Sequence, residues 1–384
     1  MAHSTDDLLS DAVRHLFTAQ CTPQTVRGIE AGQSAQPLWQ LIEASGFADA
    51  LVSEAQGGAQ GGAGLSLPAV YPVLELCGAF ALPVPLAETM LARALLAQAG
   101  VAVPPGSIAL AHGRASPNGG VVCHGVHSVH DGQVADWVLA NLTETGGVKR
   151  EGADDGSTPA HTVSLLLPVA KATADAKSKF KAKSDVQAEK SATGFCLDAK
   201  LEWPEAVASQ ALRLPCHHNV KELQACIYAA QLAGAMQAVF TRTLQYANDR
   251  NQFGRPIGKF QAIQHQLSRM AEHAFAARMA AQMGCRSSTF MPERLCVAVA
   301  KARTCEAAVE VAALSHSIHG AIGFTQEFDL QLYTRRLHLW RQAGGSESYW
   351  HTVLGEALVD QHKGLTLDLI RSTTDAPGTL AELS

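Results

Sequence analysis

The sequence is short of charge and of recognisable cofactor or metal loops. Asp, Glu, Lys and Arg together make up 17% of its 384 residues, and the formal net charge is −5. No basic surplus recommends a nucleic acid as partner. The nine cysteines never fall into a C-x-x-C or another zinc spacing, so no metal site is expected. Scattered and odd in number, they read as free thiols in a reducing, cytoplasmic setting. The Gly-rich stretch SEAQGGAQGGAGLSL (53–67) contains neither G-x-G-x-x-G nor a P-loop pattern, and reads as a flexible connection. The first 17 residues carry early acids and no apolar core, so no secretory signal is expected. The longest apolar stretch, CIYAAQLAGAMQAVF (226–240), is interrupted by Gln231 and Gln237. It falls short of the roughly 20 residues that span a bilayer, so a buried core helix is expected and no membrane partner.

What is present has the composition of a globular protein, 47% hydrophobic and long enough for two or three cores. LLSDAVRHLF, PLWQLIEASGF and LAETMLARALLAQAG space their apolar residues by three and four, which predicts helices over 4–100. From Gly106 to Trp203 the runs SIALAHG, GGVVCHGV, DWVLANL, TVSLLLPV and FCLDAKLEW predict strands of a small sheet or barrel. Inside this region, residues 171–191 are low-complexity, with Lys at 171, 177, 179, 181, 183 and 190. A solvated loop is the first reading and a basic pocket for a phosphate-bearing ligand the second. Helical spacing then predicts long helices over 219–250, 259–286, 292–319 and from Glu347 to Ile370, as in an antiparallel bundle. The tail after Ile370 is expected to fray. The expected class is α+β, mainly α: an N-terminal helical domain (1–105), a central β-barrel domain (106–205) and a C-terminal four-helix bundle (206–384).

Two segments carry chemistry. In YANDRNQFGRPIGKFQ (246–261), Arg250 and Phe253 stand at i, i+3 and can pair a diphosphate with a ring. Gln261 can reach the same ligand from the next helix. In SIHGAIGFT (317–325), Gly320 and Gly323 allow close backbone approach. Each alone also reads as a plain interhelical turn.

Together, in this order, the two segments resemble the acyl-CoA dehydrogenase family. Its R-x-x-F-G-x-x-[IL]-x-x-x-Q pattern stands here as Arg250, Phe253, Gly254 and Gln261. Its Gly-Gly-x-Gly-Phe turn is similar to His319-Gly320-Ala321-Ile322-Gly323-Phe324. LWQLIEASGF with the Gly-rich stretch, and VHSVHDGQVADWVLANL, resemble the front of the family more loosely. The resemblance implies FAD as cofactor and an acyl-CoA substrate. A carboxylate would remove the α proton while the β hydrogen leaves as hydride, and an electron-transfer flavoprotein or similar acceptor would take the electrons. It also implies that Arg250, Phe253, Gln261, His319 and Gly320 serve an FAD shared with a neighbouring subunit.

The chain departs from the family where the base belongs. Counted from Gly323, the family's Tyr-Glu-Gly-Thr becomes Ala343-Gly344-Gly345-Ser346, so Gly344 holds the base position. The family's alternative position falls on Gln224. Glu222 is two residues away, about 200° around a helix. Glu347 reads first as a first-turn carboxylate favoured by the helix dipole and second as a candidate substitute base. The family's Thr-Glu-Pro-x-x-Gly-Ser-Asp has no counterpart in 106–120, and Ser317 stands where a flavin-contacting Gln is expected. This pattern resembles the non-catalytic subunit of bacterial heteromeric (α2β2) members, whose homologous partner supplies the base. A self-sufficient enzyme with a relocated base, and a degenerate scaffold, are the alternatives.

Overall fold

The computed structural model describes residues 5–56, 61–115, 121–123, 129–143, 162–169, 197–214, 219–362 and 364–374. The low-complexity segment 171–191 and the tail beyond residue 374 lie outside them. The chain is mainly helical with one small sheet, as the sequence predicts. It divides into two compact units. One comprises His15–Leu65 and Leu82–Lys221, the other Met1–Arg14, Ser66–Ala81 and Glu222–Ser384. The first helix, α1 (Thr5–Gln20), runs through both sets of residues.

The first unit holds α2 (Pro23–Glu30), α3 (Gln36–Ala44), α5 (Leu86–Gln98) and the sheet. Its strands are β1 (Ile108–Ala115), β2 (Val121–Cys123), β3 (Trp137–Thr143), β4 (Thr162–Pro168), β5 (Leu201–Trp203) and β6 (Leu212–Leu214). A short helix, α6 (Glu205–Ala208), separates the last two. The strand order is β5-β2-β1-β3-β4-β6, with only β1 and β3 parallel. Alternation puts Ala109, Ala111, Val138, Ala140, Leu165 and Leu167 on one face, where they pack around Trp203. The other face meets α5. There the Glu88 carboxylate accepts the Leu110 N–H at 2.7 Å and the Thr89 hydroxyl accepts the Ile108 N–H at 2.9 Å. Arg93 ties α5 to Glu43, Asp49 and the Gly106 carbonyl.

The second unit contains α4 (Leu67–Ala79), α7 (Val220–Asp249), α8 (Gln261–Gly284), α9 (Arg294–His319), α10 (Leu330–Gln342), α11 (Glu347–Glu356) and α12 (Thr366–Thr374). Helix α7 is long and apolar enough to cross a membrane, but 89% of its most apolar window is buried in the fold. It crosses α4 at van der Waals distance. A Cβ on Gly78 would lie 1.9 Å from the Gln231 carbonyl oxygen, and one on Gly234 equally close to that of Glu75. Helix α9 packs along α8 and carries α10 and α11 against it.

Two expectations need correction. The helix expected over 347–370 is two helices, because the chain passes through a π turn at Ala357–Gln361 and a break around Gly364. Helix α10 is an addition: Thr334 and Arg336 are buried among its leucines, which blurs the apolar period in the sequence.

Candidate functional site

The residues singled out by the first motif sit on a tight hairpin. Strands β7 (Asn251–Gln252) and β8 (Arg255–Pro256) pair directly after α7, with Phe253 and Gly254 between them. Both turn residues have positive φ, +54° and +79°, as a two-residue hairpin with right-handed strand twist requires. Glycine adopts this freely, whereas phenylalanine does so at a cost. Phe253 is nevertheless 92% exposed, and among the described residues its ring meets Phe260 edge-on at 6.2 Å. The Arg255 guanidinium covers the Phe260 ring at 4.3 Å. Arg250 and Gln261 flank the hairpin, both exposed. The Arg250 side chain has no recorded hydrogen bond or ion pair among the described residues.

The second motif meets this hairpin through Tyr246, one turn before Arg250. The Tyr246 ring stacks on His319 at 4.3 Å, and its hydroxyl donates to the His319 carbonyl at 3.4 Å. His319 closes α9. Its Nδ1–H donates to the Ser315 carbonyl at 2.8 Å, and its buried Nε2 has no partner among the described residues. Burial holds its pKa below the ordinary imidazole range, so the ring is neutral at pH 7 and Nε2 is an acceptor. Gly320 follows with φ +64°, and nothing occupies the place of a Cβ there. Beside it, His316 bonds Thr334 at 2.9 Å and stacks under Phe324 at 4.2 Å, leaving the Phe324 ring 70% exposed. Sequence reasoning misses both Tyr246 and the His316–Thr334 pair, because each reads there as an ordinary helical position.

The two positions at which the sequence resemblance leads one to expect a base, Gly344 and Gln224, lie side by side. Gly344 packs on the backbone of α7 at Gln224 and Ala225. It has φ +67°, and a Cβ there would sit 2.6 Å from the Ala225 nitrogen. No side chain fits. Its carbonyl accepts the Trp350 Nε1–H at 3.0 Å, which pins the turn to α11. Gln224 is buried, while Glu222 turns away to pair with Arg294.

Glu347 is the first residue of α11 and is held by a two-pronged bond from Arg341. Nε donates to Oε2 at 2.9 Å, and the second guanidinium nitrogen donates to Oε1. These bonds hold its carboxyl below the usual carboxylate range. A general base for a weakly acidic C–H bond needs the opposite shift. Behind Arg341, the fully buried Lys301 donates to the Trp340 and Arg341 carbonyls, capping the C-terminus of α10. The turn is thus fixed from both sides by charged groups that face protein.

FAD presents a diphosphate and a flat adenine. An exposed, unpaired arginine, a strained exposed phenylalanine, an unpartnered buried imidazole nitrogen and an open glycine form an edge that fits such a group. Among the described residues no cluster of His, Cys, Asp and Glu could hold a metal ion.

Residues 224–359 match the acyl-CoA dehydrogenase C-terminal domain. Acyl-CoA dehydrogenase IpdE2 of Mycolicibacterium smegmatis is 28% identical over 335 residues, covering 86% of this chain and 92% of its own length. A chain of the ChsE4-ChsE5 complex from Mycobacterium tuberculosis superposes with a TM-score of 0.68 at 19% identity, covering 94% of this chain and 99% of its own. A chain of the Tcur3481-Tcur3483 steroid ACAD superposes at 0.66 and 22% identity, covering 91% and 96%. Members of this group are FAD-binding flavoproteins and oxidoreductases of acyl-CoA thioesters. Residues 224–359 thus carry an acyl-CoA dehydrogenase C-terminal domain, and the whole chain is similar in sequence to an acyl-CoA dehydrogenase and shares the fold of that family.

Proposed function

We propose that this chain is the base-less subunit of a heteromeric, FAD-dependent acyl-CoA dehydrogenase. Its hairpin and α9 turn would embrace an FAD shared with an unlike homologous subunit, and that subunit supplies the carboxylate. The observation that carries this reading is the closed base position: Gly344 has no room for a Cβ, and Glu347 is committed to Arg341. Arg250 would hold the diphosphate by charge-assisted bonds. Phe253 and Gln261 would face the nucleotide, and His319 with Gly320 would offer a neutral acceptor and open backbone. When bound, FAD supplies the hydride acceptor for dehydrogenation of the acyl chain. This chain's residues contribute binding and orientation, and none of them moves the α proton.

The heteromeric neighbours support a shared site, and the neighbour named a steroid ACAD supports a bulky, steroid-derived acyl-CoA as substrate. An electron-transfer flavoprotein is the matching acceptor. The test compares the chain purified alone with the chain co-purified with its unlike homologue, by flavin absorbance and acyl-CoA-dependent dye reduction. Flavin and activity confined to the co-purified sample are expected. A yellow, active lone chain would overturn the reading, and colourless protein in both samples would favour a scaffold.

A further inference from the structure

Two buried thiols meet at one corner of the helical unit. Cys226 stands in the second turn of α7 and Cys285 caps the end of α8. Both are free and buried, and their Sγ atoms lie 3.6 Å apart although 59 residues separate them in the chain. The Cys226 thiol donates to the Gly284 carbonyl at 3.5 Å, so Cys285 donates to the Cys226 sulfur. Gly284 holds this end of α8 against α9: a Cβ on it would lie 2.5 Å from that of Ala300. Cys226 in turn follows Ala225, whose backbone carries Gly344. A third thiol nearby, Cys296, faces the Glu293 carboxylate and the Thr373 carbonyl at 3.7 and 3.9 Å.

We propose that Cys226 and Cys285 form a redox-active dithiol, which hydrogen peroxide converts to an internal disulfide between α7 and α8. Peroxide oxidises one thiol to a sulfenic acid and releases water. The second sulfur then displaces the sulfenic hydroxyl, which leaves as a second water as the S–S bond forms. The two thiols together give up two electrons and two protons, and peroxide takes up both. Closing to the roughly 2 Å of a disulfide needs a side-chain movement of about 1.5 Å. Access comes from Cys285, because α8 ends there and residues 286–293 form a partly exposed loop. Fraying of the last turn opens the pair without unfolding the unit. The bond to Cys226 and burial hold the Cys285 thiol well above its ordinary range, so oxidation is slow at neutral pH and quickens as pH rises. The site is therefore a lock set by sustained oxidation. Once formed, the cross-link constrains the unfolded chain and ties the turn of α7 beneath Gly344 to α8.

Peptide mapping by mass spectrometry tests this on the reduced full-length chain, alone and with its unlike subunit. The protein is treated with hydrogen peroxide under native conditions and quenched with catalase, and its remaining thiols are alkylated in denaturant. The expected product is a Cys226–Cys285 cross-linked peptide, formed roughly tenfold faster at pH 9 than at pH 7 and reversed by dithiothreitol. Cys226→Ala and Cys285→Ala are each expected to abolish it, and Cys296→Ala to leave it unchanged. The cross-linked chain is expected to melt about 3 °C or more above the reduced one. Oxidation of Cys285 to a sulfinic acid without a cross-link overturns the proposal. So does a cross-link through Cys296 in place of either thiol, or two thiols left reduced in wild-type protein that stays folded by circular dichroism. A cross-linked chain that melts below the reduced one overturns the lock. None of these readouts requires bound flavin or turnover, so they stand whichever way the test of the proposed function falls.

Discussion

Gly344 rests against Ala225 so closely that a Cβ at 344 would lie 2.6 Å from the Ala225 nitrogen and 2.9 Å from its Cα. The contact is with backbone, which cannot rotate away as a side chain can. Gly344 also has φ +67°, a conformation that costs an L-residue roughly 1–2 kcal/mol. Gly344→Ala is therefore expected to lower stability by about 2–4 kcal/mol, read by urea denaturation, as overpacking and strain add. Gly344→Glu is expected to misfold or to unfold well below the wild-type temperature, not to restore a base. A Gly344→Ala variant with an unchanged urea midpoint would show that the turn can lift off α7, and would reopen the base position.

Glu347 and Arg341 lead to a prediction about pH. The paired carboxyl has a folded pKa below its unfolded value of about 4.3. A depressed folded pKa gives stability that is present above the unfolded value and lost as pH falls through the folded one. Glu347→Gln should thus cost about 0.5–1.5 kcal/mol from pH 8 to 5, a range set by partial exposure of both groups. The melting-temperature gap to wild type should start to narrow as pH falls past the unfolded value and close as it falls through the lower folded one. Turnover of the complex with the unlike subunit should stay within about threefold of wild type. A loss in the roughly 10²–10⁴-fold range of a removed general base would restore Glu347 as a catalytic candidate.

Much of this is legible in the sequence because spacing survives where side-chain roles change. Arg250 to Phe253 and Gly320 to Gly323 mark two turns whose geometry admits few residues, and both appear at exposed corners of one unit. The count from Gly323 to Gly344 holds a meaning that the count alone does not explain. Only the contact with Ala225 shows why glycine is required there. The tie between Glu347 and Arg341 is invisible in the sequence, since i, i+6 places two residues together only when a helix ends between them. Lys301 is equally silent: a lysine in an apolar helix reads as solvated, and nothing local reveals that two carbonyls at the end of α10 await it. Helix α12 escapes a correct reading because Leu365, Leu367 and Ile370 continue an apolar pattern that the chain leaves uncovered.

Arg250 separates binding from stability. Its side chain has no recorded partner among the described residues, so its removal breaks nothing in the fold. Arg250→Ala is expected to leave the melting temperature of the lone chain within about 1 °C. In the complex it should lower flavin retention at least tenfold, through loss of a charge-assisted contact worth about 1.5–3 kcal/mol. Flavin content is read by absorbance after gel filtration. Full retention would remove Arg250 from the proposed shared site.

Phe253 gives the prediction that distinguishes function from fold most directly. A phenylalanine at φ +54° in a two-residue hairpin is strained, and Asn-Gly is the sequence this turn prefers. At 92% exposure the ring buries almost nothing within its own chain, so the strain has no internal compensation beyond an edge contact with Phe260. Phe253→Asn is therefore expected to stabilise the lone chain by about 0.5–1 kcal/mol in urea denaturation, while weakening flavin retention in the complex. The opposite signs are the test. If the substitution destabilises the chain, the ring has a packing role in the fold. If stability rises and flavin retention is untouched, the exposed ring serves something other than the nucleotide.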